Sequence, residues 1–216
     1  PQSLGMIIMA FSFLVFNRIV IGIDPRALTS FSICGRIDQV VTMPIFAIAA
    51  AMVTMAGQNA GRGNIDRVRC IWRTAVGLGV IVVAALATIV VIIAPRIYPF
   101  FSDIPQVVEY AVLQTRIIEY SYLCAVIGIA GSSLFQAIHY PAPGFAIILL
   151  RLVFVAIPVV LILVYVLNLG IYGVWFGIIS GNIVSAVVCW FWVEKALEAL
   201  KRGELKVLDT DTSTAV

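Results

Sequence analysis

The stretch Ile33–Arg69, ICGRIDQVVTMPIFAIAAAMVTMAGQNAGRGNIDRVR, decides the fold class. Its first part belongs to an apolar run, Thr29–Ala56, that exceeds the ~20 residues needed to cross a bilayer. The run stops at Gly57–Asn64, where turn-forming residues concentrate. Arginines follow at once (Arg62, Arg67, Arg69, Arg73), the pattern of a cytoplasmic loop. Yet Arg36 and Asp38 lie inside the run, where a charge costs at least ~2.5–3.5 kcal/mol. Such charges persist when they pair, line a wet cavity or carry an ion.

Outward from this stretch the pattern repeats. Further apolar runs cover Leu4–Ile23, Cys70–Ala94, Val107–Ala137, Gly144–Leu167 and Ile171–Leu197. They are separated by Asp24-Pro25, Pro95–Pro105, Tyr140–Gly144 and Asn168–Gly170. Hydrophobic residues make up 62% of the chain and charged residues 12%, with a mean hydropathy of +1.09, too apolar for a soluble fold. The expected fold is therefore an all-α membrane protein: a six-transmembrane-helix bundle over residues 1–197, followed by a polar, disordered cytoplasmic tail at 198–216. Pro44 and Pro158 are expected to kink their helices by removing a backbone donor. The chain enters its first apolar run with no charged leader, so we expect it to begin partway through a longer protein.

Lys195, Lys201, Arg202 and Lys206 fall on the same side as the Arg-rich loop if there are six spans, opposite Arg26 and Arg96. This bias places both termini in the cytoplasm, in the plasma (inner) membrane. Gly173, Gly177 and Gly181 recur at four-residue spacing in the sixth span and are expected to let another helix approach closely. Trp175, Trp190 and Trp192 are read as interfacial aromatics. The four cysteines (Cys34, Cys70, Cys124, Cys189) have no paired spacing and read as small core residues.

Within Ile33–Arg69, an Arg36-Ile37 pair, Met43-Pro44 in mid-helix, and a loop containing Gly57, Gln58, Asn59, Gly61, Asn64 and Arg67 resemble the eighth helix and following loop of multidrug and toxic compound extrusion (MATE) transporters. Tyr98–Ile117 is similar to the family's outer loop leading into the tenth helix, Gly131–Gln136 to that helix's end, Pro158 to the eleventh helix and Gly170–Gly181 to the twelfth. The resemblance implies the C-terminal six-helix lobe of a twelve-helix exporter. The acids that some members place in the seventh and tenth helices as cation ligands have no match here. The first span has no acid, and Cys124-Ala125 occupies the tenth-helix position.

The intramembrane polar residues are the candidates for an ion or substrate pathway: Asn17, Arg36, Asp38, Gln39, Arg116, Glu119 and Tyr120, with Arg18 nearby. All fall in the outer half of their spans, and they are expected on one common face or in the bundle interior. Two readings stay open. Arg18, Arg36 and Arg116 hold the two carboxylates in interhelical ion pairs, or Asp38 or Glu119 exchanges a proton while cationic substrate binds. Asn182 reads as an interhelical hydrogen-bonding group. The aromatics Phe11, Phe13, Phe16, Phe46, Tyr120 and Tyr122 read mostly as core or lipid-facing. No protease, hydrolase or nucleotide-binding motif occurs, so no enzyme activity, cofactor or metal site is expected.

The functional expectation is part of a cation-coupled antiporter, using H+ or Na+, that exports organic and often cationic compounds. The alternatives are a lipid-linked oligosaccharide flippase of the same superfamily and a non-transporting membrane assembly subunit. The expected partners are membrane lipids, an N-terminal six-helix lobe and small organic substrates, with no nucleic acid.

Overall fold

The computed structural model describes residues 2–203, and the polar tail expected beyond them lies outside the described residues. Six helical passes make up the described chain, five of them long and apolar enough to cross a membrane and the first a shorter apolar one. The first is α1 (Gln2–Ile23), the second α2 (Pro25–Gly61) and the third α3 (Ile65–Ile97), with a short 3-10 turn at Tyr98–Phe100. The fourth pass is α4 (Pro105–Ile118), a 3-10 turn at Glu119–Ser121, and α5 (Tyr122–Ala137). The fifth is α6 (Pro141–Leu149), a π-helical stretch (Leu150–Ala156), α7 (Ile157–Leu161) and a second π-helical stretch (Ile162–Val166). The sixth is α8 (Ile171–Lys201).

Local chemistry sets the ends of these helices. Asp24, extended at φ −156°, caps α2 by accepting a hydrogen bond from the Arg26 N–H at 2.8 Å, and Pro25 fills the first helical position, where no donor is needed. At the other end of α2 the chain reverses through Gly63 at φ +74°, a left-handed conformation that costs other residues about 1–2 kcal/mol.

α5 is the central helix, packed against α2, α3, α6 and α8. Two apolar cores flank it. The one near the Gly63 turn gathers Met52, Trp72, Phe135 and Leu197; the one toward Asp24 gathers Phe16, Val20, Val160 and Trp175. At the Gly63 end, Glu194 of α8 is gripped by Arg73 at 2.8 Å and Arg69 at 3.1 Å of α3. Lys201 reaches Asp66 at 2.8 Å, so α8 runs past the expected boundary at residue 197 and is tied to α3. At the opposite end, the Tyr110 hydroxyl donates to Asp24 at 3.3 Å, joining α4 to α2.

Local packing and helix geometry refine the sequence reading at several points. Trp175, near the start of α8, is fully buried and packs edge-on against Tyr172 at 5.0 Å. Of the other two tryptophans, Trp190 lies against Trp72 at 4.6 Å and Trp192 is 38% exposed. Pro44 leaves α2 helical throughout, whereas Pro158 is bracketed by both π-helical stretches. Proline lacks an N–H and its ring crowds the carbonyl one turn back, and wider π turns relieve both problems. The fourth pass, expected as one helix, tightens at Glu119–Ser121. That tightening positions the site.

Candidate functional site

α2 and α4 pack side by side and present polar residues one helical turn apart. Cys34 and Asp38 lie four residues apart on α2; Thr115 and Glu119 repeat that spacing on the facing element. Cys34 Sγ donates to the Ala111 carbonyl at 3.6 Å and lies 3.9 Å from Thr115 Oγ1. Thr115 in turn hydrogen-bonds the Tyr98 hydroxyl. All three side chains are buried.

One turn deeper are the carboxyls. In a 3-10 helix, side chains three residues apart eclipse rather than diverge. The Glu119–Ser121 turn therefore directs Glu119 and Tyr122 to the same side, toward Asp38. Tyr122 Oη donates to Asp38 Oδ2 at 2.7 Å. Glu119 has 0% exposure, and neither of its oxygens receives a hydrogen bond from a donor among the described residues. Asp38 is only half-buried. On the far side, Asn182 Nδ2 of α8 donates to Ser121 Oγ at 2.9 Å, fastening the turn to the sixth pass.

The other candidates lie elsewhere. Arg18, Arg36, Gln39, Arg116 and Tyr120 are exposed on the lobe's surface, and Asn17 is half-buried with its Oδ1 enclosed and unpartnered. The ion pairs among the described residues are those of Asp66, Glu194 and Glu198 at the Gly63 end. The arginines offered as partners for Asp38 and Glu119 thus make no such contact. Gly173, Gly177 and Gly181 face the fifth pass. A Cβ at position 177 would lie 2.2 Å from Val160 Cγ2, and one at 181 would lie 2.8 Å from the Arg151 carbonyl.

Two polar residues escaped the sequence reading. Tyr122 was grouped with core and lipid-facing aromatics, although its three-residue offset from Glu119 was a signal once a tightened turn is allowed. Arg151 is the single charged residue in the fifth apolar run, and an averaged hydropathy hides it. The structure places it half-buried at the start of the first π-helical stretch.

A family model described as MatE matches residues 1–162. Among curated relatives, the "Probable multidrug resistance protein NorM" of Thermotoga maritima is 22% identical, over 87% of this chain and 40% of its own length. The "FAD transporter" of Shewanella oneidensis is 21% identical, over 93% of this chain and 44% of its own length. Among solved structures, "MATE transporter ClbM in complex with Rb+" is 35% identical with a TM-score of 0.89, and the match covers 94% of this chain and 48% of that one. The chain therefore spans less than half the length of these relatives. Its helical architecture corresponds to one lobe of theirs, and the chain belongs to the MatE family of membrane transporters.

Proposed function

We propose that this chain forms one lobe of a two-lobe exporter of organic compounds, driven by inward movement of a proton that the Asp38–Glu119 pair binds and releases. The observation that carries this reading is a fully buried Glu119, whose oxygens receive no hydrogen bond from a donor among the described residues, together with an Asp38 held by Tyr122. A buried acidic pair within a membrane span is costly unless it has a partner or a task, and the exposed arginines do not serve as its partners. Asp38, the half-exposed member, gives the proton a way out to water when the lobe opens. The relatives' names support efflux of drug-like compounds, and one of them names a larger organic molecule, FAD. The Arg and Lys bias favours cytoplasmic termini in a plasma membrane.

A monovalent metal cation is the second reading, favoured by the solved relative's complex with Rb+. Proteoliposomes holding the full-length transporter separate the two. Efflux of a fluorescent organic cation is expected to follow an imposed pH gradient, and to be lost in both Asp38→Asn and Glu119→Gln. Efflux that follows a Na+ gradient with no pH gradient present would exclude the proton reading. Wild-type transport in both variants would remove the pair from the pathway altogether.

A further inference from the structure

α3 has two unlike faces. One carries Val68, Trp72, Val83, Ala87 and Ala94, all buried in the bundle. The opposite face carries Arg67, Leu78, Ile81, Ile89, Ile92 and Arg96, all exposed. Their spacings follow the helical period of about 3.6 residues, which keeps all six on one stripe. From Leu78 to Ile92 the stripe has no charge. Thr88, exposed beside it, donates its hydroxyl to the Ala84 carbonyl at 2.7 Å and so needs no partner outside the helix. The surface of α1 and α2 differs, because Arg18, Arg36 and Gln39 are exposed there within apolar runs. Hydrocarbon suits the first surface and water the second. At 1.5 Å per residue, Arg67 and Arg96 lie about 44 Å apart along α3. That distance matches the ~40–45 Å of a bilayer with its headgroups, so the two arginines reach the two headgroup layers.

The two ends of the stripe are not equivalent. At the Gly63 end, Arg69 and Arg73 answer Glu194, and Lys201 answers Asp66. Arg62, which closes α2, and Arg67, which opens the stripe, are both exposed and belong to none of the ion pairs among the described residues. We propose that this turn and the adjoining stripe of α3 hold an anionic phospholipid of the leaflet at the Gly63 end. Its phosphate lies on Arg62 and Arg67, and its acyl chains run along Leu78 and Ile81. A guanidinium matches phosphate oxygens in pairs, and the arginine stem follows apolar surface while its head reaches the polar layer. Each arginine so placed strengthens attraction to an anionic headgroup about fivefold. A zwitterionic headgroup gains little, because its own cation offsets the phosphate. Lipid is the occupant because the unpaired arginines and the apolar stripe form one continuous face, which a soluble phosphate would use only at its end. Through Arg69 and Arg73, which bind Glu194, the same anchor fixes the depth of α8 as well as α3. The site uses neither Asp38 nor Glu119 and is independent of the coupling ion.

The test uses the full-length transporter in phosphatidylcholine vesicles, with bimane attached at Leu78→Cys in a background free of native cysteines. Chain-brominated phosphatidylglycerol is the quencher, and chain-brominated phosphatidylcholine is the reference. With both arginines present, the anionic lipid is expected to associate with the labelled face at least about fivefold more strongly than the reference. Arg62→Gln combined with Arg67→Gln should bring the two lipids to parity, whereas Arg62→Lys combined with Arg67→Lys should keep a preference. If the double glutamine variant does not fold, Arg67→Gln alone is expected to lower the preference about fivefold. Equal association of the two lipids when both arginines are present overturns the proposal, as does an unchanged preference in the glutamine variants. Quenching by neither lipid, at Leu78→Cys or at Ile81→Cys, shows that protein covers the stripe and overturns it as well. Displacement of the brominated lipid by soluble glycerol phosphate identifies a free-anion site and overturns the lipid as occupant.

Discussion

Gly131 of α5 packs against Cys189 of α8, and its substitution offers a sharp test of the packing. A Cβ built there would lie 2.1 Å from Cys189 Sγ and 3.3 Å from Val193 Cγ2. Apolar atoms pack best at about 3.5–4.0 Å, so the first contact is an overlap of about 1.5 Å. Cys189 has little freedom to yield, being fully buried with its thiol donating to the Ile127 carbonyl at 3.4 Å. Overpacking of this kind costs about 1–3 kcal/mol, against a gain of about 1 kcal/mol from replacing a mid-helix glycine by alanine. Gly131→Ala is therefore expected to destabilise the protein by up to about 2 kcal/mol, a loss of up to roughly 8 °C in Tm. Cys189→Ala alone loses a single buried sulfur and costs about 1 kcal/mol. In the double variant the nearest remaining atoms are Val193 Cγ2 at 3.3 Å and the position-189 Cβ at 3.9 Å, which an alanine tolerates. A double-mutant cycle by thermal unfolding in detergent should give a favourable coupling energy of about 1–3 kcal/mol. Additive effects in the cycle would refute the close contact between Gly131 and Cys189.

Two further outcomes follow from the same geometry. Gly177→Ala meets Val160 Cγ2 at 2.2 Å and the Val160 backbone nitrogen at 3.1 Å, and it should lower Tm. Gly77→Ala, with nothing within 4 Å, should leave Tm unchanged or raise it by the equivalent of about 0.4–1 kcal/mol, and equal behaviour of the two variants in thermal unfolding would contradict the account. For orientation, Arg26→Cys and Arg67→Cys in a background free of native cysteines should label from opposite faces of the membrane with an impermeant maleimide. Arg67 is expected to be reachable only from the cytoplasm, and labelling of both from one face would overturn the topology.

The six passes were legible because each apolar run is long, continuous and closed by turn chemistry, as at Gly57–Asn64 and Asn168–Gly170. Burial in lipid imposes that requirement on the chain itself, since no neighbouring element has to be known for a helix to satisfy its own backbone. Asp38 and Glu119 were likewise conspicuous, because an acid inside an apolar run is costly wherever it points. The reading failed where rotation about a helix axis decides the outcome. Arg36 and Asp38 are two residues apart, and the structure exposes the first while turning the second toward Tyr122.

The sequence by itself determined the membrane-spanning class, the number of passes and the presence of misplaced charge, all of which depend on local composition and length. Only the tertiary structure decided which of those charges meet. The tightened turn at Glu119–Ser121 aligns Glu119 with Tyr122, and the π-helical widening beside Pro158 carries Arg151 against Gly181. Neither departure from regular α-helix changes the apolar pattern by which spans are recognised. Both rotate the side chains that follow, and rotation sets the partner of every buried polar group.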